Sequence, residues 1–193
     1  MSEKLVMVDL DGTLVDTSRV NYFAYKKAMN LYGFELDFDY FCKYCYGRHY
    51  LDFLPIITTD DKEVLNKIHY TKKVNYKLYL HEAVLNNALV DILRLMKMEY
   101  KTALVTTASR QNTYDILNHY HLQNFFDLIL THEDVNNSKP DPEGYNKAMQ
   151  YFHTDPANAM IFEDSESGIE AAKRAGCSYF RTYFNIGHEK EEK

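Results

Sequence analysis

Two carboxylates, Asp9 and Asp11, stand two residues apart just past the apolar run Leu5-Val6-Met7-Val8, and Gly12-Thr13 follow them. The run is too short for a bilayer span or a signal peptide and reads as a buried strand. Side chains two apart on a strand point the same way, so both acids can address one bound group. Acids at the carboxyl end of such a strand lie where open α/β sheets bind ligands. Asp-Gly also marks ordinary turns, and the pair gains weight from three later clusters. Thr106 and Thr107 close a second apolar segment and offer a hydroxyl and a backbone N–H to anionic oxygens. Lys139, in Ser138-Lys139-Pro140-Asp141-Pro142, is a compact point charge. Glu163-Asp164-Ser165 follow a third apolar segment, about 25 residues after the lysine.

Strands must carry these groups, and the candidates are Leu5–Val8, Thr102–Thr106, Met160–Phe162 and Ser178–Thr182, with Leu128–Leu130 a weaker fifth. Helical patterns lie between them. Leu85, Leu89, Ile92, Leu93 and Met96 form one apolar face. Ile116, Leu117 and Tyr120 form another, with Ser109 as N-cap. Ile169, Ala172 and Ala175 form a third, closed by Gly176. Strands alternating with helices imply a parallel sheet covered on both faces, an α/β Rossmann-like fold.

Residues 17–80 break this rhythm and read as helices alone. Val20, Phe23, Ala24, Lys27, Ala28 and Leu31 outline one that stops at Gly33. A second opens at Asp39 as N-cap and runs to Gly47, and a third spans Lys62–Tyr79. Pro55 and Thr58-Thr59-Asp60-Asp61 read as a loop.

The chain has 193 residues, enough for one domain with a modest insertion, and a formal net charge of −6. That charge, with no basic run, argues against nucleic acid as a partner. No apolar stretch approaches the ~18 residues of a membrane span, so no membrane partner is expected. Three cysteines fit a reducing compartment better than a disulfide framework, and a cytoplasmic protein is expected. The tail His188–Lys193 reads as a solvated end. Residues 17–80 hold ten Lys and Arg against seven Asp and Glu, and the remainder twelve against twenty-one. This fits either a basic lid for an anionic substrate or ordinary surface variation.

In order and company, Asp9-x-Asp11-Gly12-Thr13, Thr106, Lys139 and Glu163-Asp164 resemble the four motifs of the haloacid dehalogenase-like (HAD) phosphohydrolase superfamily. The run from Glu163 to Gly176, with Ser165, Gly168, Ile169, Ala171, Ala172 and Ala175, is similar to β-phosphoglucomutase-like members. The resemblance implies an α/β core of residues 1–16 and 81–193 and an inserted helical cap of the C1 type at 17–80. It implies a phosphatase in which Asp9 is the nucleophile that forms an aspartyl-phosphate. Asp11 is then the general acid and later the general base. Thr106 and Thr107 bind the phosphoryl group, and Lys139 offsets repulsion between it and Asp9. Mg²⁺ is the implied cofactor, with Asp9, the Asp11 carbonyl and Asp164 as ligands. Glu163 binds the metal directly or through water.

An Asp at position 11 favours phosphoryl transfer over C–halogen cleavage. Small phosphorylated metabolites, sugar phosphates foremost, are the expected substrates, and a monomer or weak homodimer the expected state. Arg48 is nominated to bind a sugar hydroxyl or a second phosphate. A sugar phosphomutase is the alternative enzyme, and a catalytically silent binding domain the alternative outside enzymes. Cys42-x-x-Cys45-x-x-x-His49 has zinc-like spacing without a second cysteine pair. Lys43, Lys72 and Lys73 are candidates for a Schiff-base lysine, with nothing to choose among them.

Overall fold

The computed structural model describes residues 3–184, and the tail His188–Lys193 lies outside them. The chain divides into two compact units: Met1–Leu14, Asn86–Thr107 and Phe126–Lys193 form the first, Val15–Leu85 and Ala108–Phe125 the second.

The elements in chain order begin with strand β1 (Leu5–Val8), the two-residue strand β2 (Val15–Asp16), and helices α1 (Ser18–Asn30), α2 (Phe38–Tyr44), α3 (Tyr50–Ile57) and α4 (Lys62–Asn75). A 3₁₀ helix at Tyr76–Glu82 and a second short strand, β3 (Val84–Leu85), follow. Then come α5 (Asn87–Met96), β4 (Lys101–Val105), α6 (Arg110–His119), β5 (Leu128–Leu130), α7 (Glu143–Tyr151), β6 (Ala159–Glu163), α8 (Glu166–Arg174) and β7 (Ser178–Arg181).

In the first unit, five strands form a parallel sheet in the order β5-β4-β1-β6-β7. All five were legible in the sequence to within a residue or two. β1 lies in the middle, and its four residues are fully buried because the sheet is covered on both faces. Leu5, Met7, Ala103, Val105 and Ile161 pack against Tyr145, Ala148 and Met149 of α7, Ala171 and Ala172 of α8, and Ala175 at its C-cap. The chain leaves β1 for β4 on one side and later reaches β6 on the other, so the strand order reverses at β1 and opens a crevice beyond the strand ends. Register then sets which residues share that crevice. Val8 pairs with Leu104 on one side and Phe162 on the other. Asp9, Val105 and Glu163 are the next residues along, side by side.

The helical face from Leu85 to Met96 is narrower than expected. Leu85 belongs to β3, Ile92 is exposed, and Leu89, Val90 and Leu93 are buried. Ser109 caps α6 through its side chain, and Gly176 takes a positive φ after α8, both as the sequence indicated.

The second unit is helical around an aromatic core of Tyr22, Tyr25, Phe41, Phe53, Leu54, Leu65 and Ile68. β2 and β3 pair antiparallel here, too short to show any alternation in sequence. Val20, Ala24 and Ala28 of the expected α1 face are buried together with Tyr22, Tyr25 and Met29, whereas Leu31 is exposed. Asp37, not Asp39, caps α2, because its carboxylate accepts from the Tyr40 N–H at 2.9 Å. Pro55 lies inside α3 rather than in a loop. Its missing N–H forfeits one bond, and the turn still closes from the Thr58 N–H to the Leu54 carbonyl at 2.9 Å. Residues 108–125, expected in the α/β core, group with this unit. Here α6 packs on the Tyr76–Glu82 3₁₀ helix, and Lys77 pairs with Asp115 at 3.1 Å. Among the described residues, no helix is long and apolar enough to cross a membrane.

Ile161 on β6 is fully buried, whereas Ile92 on α5 is half exposed. Ile161→Ala is expected to lower unfolding free energy by about 2–5 kcal/mol in urea titration, and Ile92→Ala by less than about 1 kcal/mol.

Candidate active site

Lys139 is the hub of the site. Its Nζ donates to Asp9 Oδ1 at 2.6 Å, to Glu163 Oε2 at 2.7 Å and to the Val105 carbonyl at 3.0 Å. These acceptors are the three residues that stand abreast just past the pairs Val8–Leu104 and Val8–Phe162. One ammonium thus joins the ends of three neighbouring strands. Its side chain is only 8% exposed, so these contacts act in a medium of low polarisability.

The loop before α7 holds the lysine there. The Thr131 N–H and hydroxyl both donate to Asp134, at 2.9 and 2.7 Å, and Lys147 donates to the Asp134 carbonyl at 2.8 Å. Glu143 accepts from the Asn136 and Asn137 N–H groups at 2.9 and 2.8 Å. Lys147 and those two amides pull the Glu143 carboxyl down to about 2.

Glu163 is almost completely buried and accepts four hydrogen bonds. The Lys139 ammonium and the Tyr145 hydroxyl, at 2.9 Å, reach Oε2, while the Ser165 N–H and hydroxyl reach Oε1 at 3.1 and 2.7 Å. Burial opposes its charge, but Lys139 and Ser165 outweigh burial and hold the carboxyl below its usual range. Asp9 shifts the other way. Burial and the Glu163 charge raise it, against the pull of Lys139. Lys139 stays charged: burial opposes this, and Asp9 and Glu163 overcome it.

Asp164 accepts from the Thr13 hydroxyl at 2.7 Å, and Thr182 donates to the Thr13 oxygen at 3.3 Å. Arg181 donates to the Asp164 carbonyl at 3.3 Å and pairs with Glu166. Burial, with the Glu163 charge beside it, pushes the Asp164 carboxyl up to about 6. Two glycines leave room for these acids. A Cβ on Gly12, whose φ is +87°, would fall 2.2 Å from Asp164 Oδ2. A Cβ on Gly168 would fall 2.0 Å from Glu163 Cδ.

Asp9, Glu163 and Asp164 each offer a carboxylate oxygen, and these oxygens lie within 4.8 Å of one another. Three carboxylates against one ammonium leave an excess negative charge, and hard oxygen donors suit Mg²⁺. The residues present therefore fit that ion. Thr106 and Thr107 follow β4, where the Thr106 N–H donates to the Leu130 carbonyl at 3.0 Å. With Lys139 and Tyr145 they line one small cavity. Asp11 is half-buried in the turn after β1. The structure thus brings together Asp9, Lys139, Glu163 and Asp164, with Thr106 and Thr107 beside the lysine. Arg48 belongs to the helical unit and is exposed there. Sequence reasoning missed Tyr145, Thr13, Ser165, Thr182 and Arg181 as supports of these groups. The first three sit within or close to the motifs, but no spacing rule marks a hydroxyl as a partner.

Residues 6–182 match the family model of the haloacid dehalogenase-like hydrolases, and the chain belongs to that family of enzymes. It is 32% identical over 178 residues to a phosphorylated carbohydrates phosphatase of Thermotoga maritima, a match covering 89% of this chain and 81% of the relative. It is 29% identical over 188 residues to the pyrophosphatase PpaX of Bacillus cereus, covering 91% and 81%. In fold it is similar to CbbY from Rhodobacter sphaeroides, solved in complex with phosphate. The TM-score is 0.80, with 23% identity, covering 98% of this chain and 90% of that one.

Gly168→Ala forces a methyl into the Glu163 carboxylate. It is expected to destabilise the protein by about 1–3 kcal/mol in chemical denaturation, against less than about 1 kcal/mol for Ala substituted at exposed Ser167.

Proposed function

We propose that this phosphohydrolase is a Mg²⁺-dependent phosphatase of small phosphate monoesters, phosphorylated sugars foremost, working through an aspartyl-phosphate. The observation that carries the reading is the Asp9 carboxylate pinned to a buried ammonium, with the Asp164 and Glu163 oxygens within 4.8 Å. The similarity to a phosphatase of phosphorylated carbohydrates supports the substrate class.

Phosphate esters resist hydrolysis because their negative charge repels nucleophiles, and enzymes gain up to ~10²¹-fold over the uncatalysed rate. Asp9 attacks phosphorus, forming an O–P bond as the bond to the ester oxygen breaks. Asp11 gives that oxygen its proton, then takes one from the water that cleaves the acyl phosphate, releasing phosphate and restoring Asp9. Lys139 keeps Asp9 oriented and cancels part of its charge. Thr106 and Thr107 donate to the phosphoryl oxygens. Asp9, Asp164 and the Asp11 carbonyl would hold Mg²⁺, which when bound neutralises phosphoryl charge. Glu163, with both oxygens already accepting hydrogen bonds, suits contact through water better than direct ligation. Residues 17–80 would act as the cap that selects the leaving group, with Arg48 as its candidate contact.

A panel of sugar phosphates, nucleotides, phosphoglycolate and pyrophosphate tests this. Phosphate release should need Mg²⁺, stop with EDTA, and fall by about 10³-fold or more in Asp9→Asn. No release from any member would overturn the reading. Release from pyrophosphate alone would correct the substrate class.

Protons and metal compete for Asp164. Its carboxyl is neutral below about 6 and charged above, so Mg²⁺ affinity by calorimetry should weaken as the pH falls from 7.5 to 5.5. For the metal-free protein the sign reverses. A carboxyl raised from 3.8 to about 6 on folding favours the folded state at low pH, and that advantage fades as pH rises through this window. In EDTA the wild type should therefore lose stability relative to Asp164→Asn between about pH 4 and 6.

A further inference from the structure

We propose that Tyr145 is a positioning residue for this reaction: by holding the buried Glu163 carboxylate, its hydroxyl keeps the Lys139 ammonium turned to Asp9. The inference rests on the phosphatase reading above. Lys139 has three N–H donors, and all three are engaged, on Asp9, Glu163 and the Val105 carbonyl. Asp9 and Glu163 therefore compete for one cation. Glu163 is 1% exposed, and a carboxylate so deeply buried draws on every donor within reach. Tyr145 is equally buried, and its hydroxyl donates to Oε2, the same oxygen that Lys139 contacts. Each unit of negative charge that Tyr145 satisfies is a pull on the ammonium that Glu163 gives up in favour of Asp9.

The ring of Tyr145 lies beneath the same ammonium, with Nζ 5.1 Å from its centroid. Ring and hydroxyl are separable. The ring fills the core between α7 and the sheet, together with Ala148 and Met149, and phenylalanine would do this as well. Only the O–H acts on Glu163. Without it, the lysine is expected to swing toward Glu163, and Asp9 loses both alignment and charge compensation. Displacing a reacting group in this way costs rate rather than substrate binding.

The test is Tyr145→Phe, assayed by Mg²⁺-dependent hydrolysis of p-nitrophenyl phosphate and of the best substrate from the panel. Partners one step removed from reacting groups commonly change activity by 10–100-fold. The expected result is kcat down about tenfold, with KM within about twofold and the melting temperature nearly unchanged. Met149→Ala, on the same buried face of α7, should lower the melting temperature and leave kcat intact well below it. In a Glu163→Gln background, Tyr145→Phe should cost little more, because the two act as one unit. Wild-type kcat in Tyr145→Phe, or an additive loss in the double variant, would overturn the proposal. A crystal structure of Tyr145→Phe gives a reading without turnover: the Lys139–Asp9 separation should lengthen from 2.6 Å, and an unchanged separation also overturns it. Were the wild type to release no phosphate from any substrate, the phosphatase reading would fail, while this distance would still decide the role of Tyr145.

Discussion

Burying an ammonium with two carboxylates, a third half-buried beside them, is the constraint that organises the α/β unit. Each charge moved from water into the interior costs several kcal/mol unless partners replace its hydration. Lys139 meets that requirement only if Asp9, Val105 and Glu163 stand abreast, so the register of three strands and the path of the loop before α7 are fixed by one side chain. The converse holds too. Residues 131–143 are tied down by the Thr131–Asp134 pair and the Glu143 cradle, both far simpler than the site they support.

The three acids are not alike. Glu163 is saturated by hydrogen bonds and stays ionised, Asp9 is shared between burial and Lys139, and Asp164 is left with a hydroxyl partner and a raised pKa. The division follows from position. Asp9 and Glu163 flank the lysine directly, whereas Asp164 lies one residue further out, where Gly12 opens space and Thr13 faces it. A site arranged this way holds one acid saturated, one shared with the lysine, and one with charge still to be compensated.

Much of this was legible in sequence. The runs at Leu5–Val8 and Thr102–Val105 are apolar and bounded by chemistry-bearing residues, as buried parallel strands must be. The acids, threonines and lysine were found because they follow strands at spacings that carry a resemblance. The helical unit was read less well, because its aromatic residues stand on buried and exposed faces alike: Tyr22, Tyr25 and Phe41 are buried, Tyr40, Tyr44 and Tyr70 exposed. In α1 the sequence marked Val20, Ala24 and Ala28, which are buried, but left out Tyr22, Tyr25 and Met29 beside them. Tyr145 was missed for a different reason: no helical pattern was read over α7, the element that carries it. β2 and β3, two residues each, carry no periodicity at all.

The helical unit is assembled from two stretches of chain, Val15–Leu85 and Ala108–Phe125, so the backbone passes between the units four times. Exchange of a unit between related chains is usually pictured as replacing a single inserted block. Here that block would leave behind α6, stripped of the Tyr76–Glu82 turn it packs on and of Lys77 opposite Asp115. A transplant that respects the packing has two pieces and four junctions. The joints at Leu14–Val15 and Leu85–Asn86 fall at the edges of the β2–β3 pair, a clasp whose two strands would have to travel together.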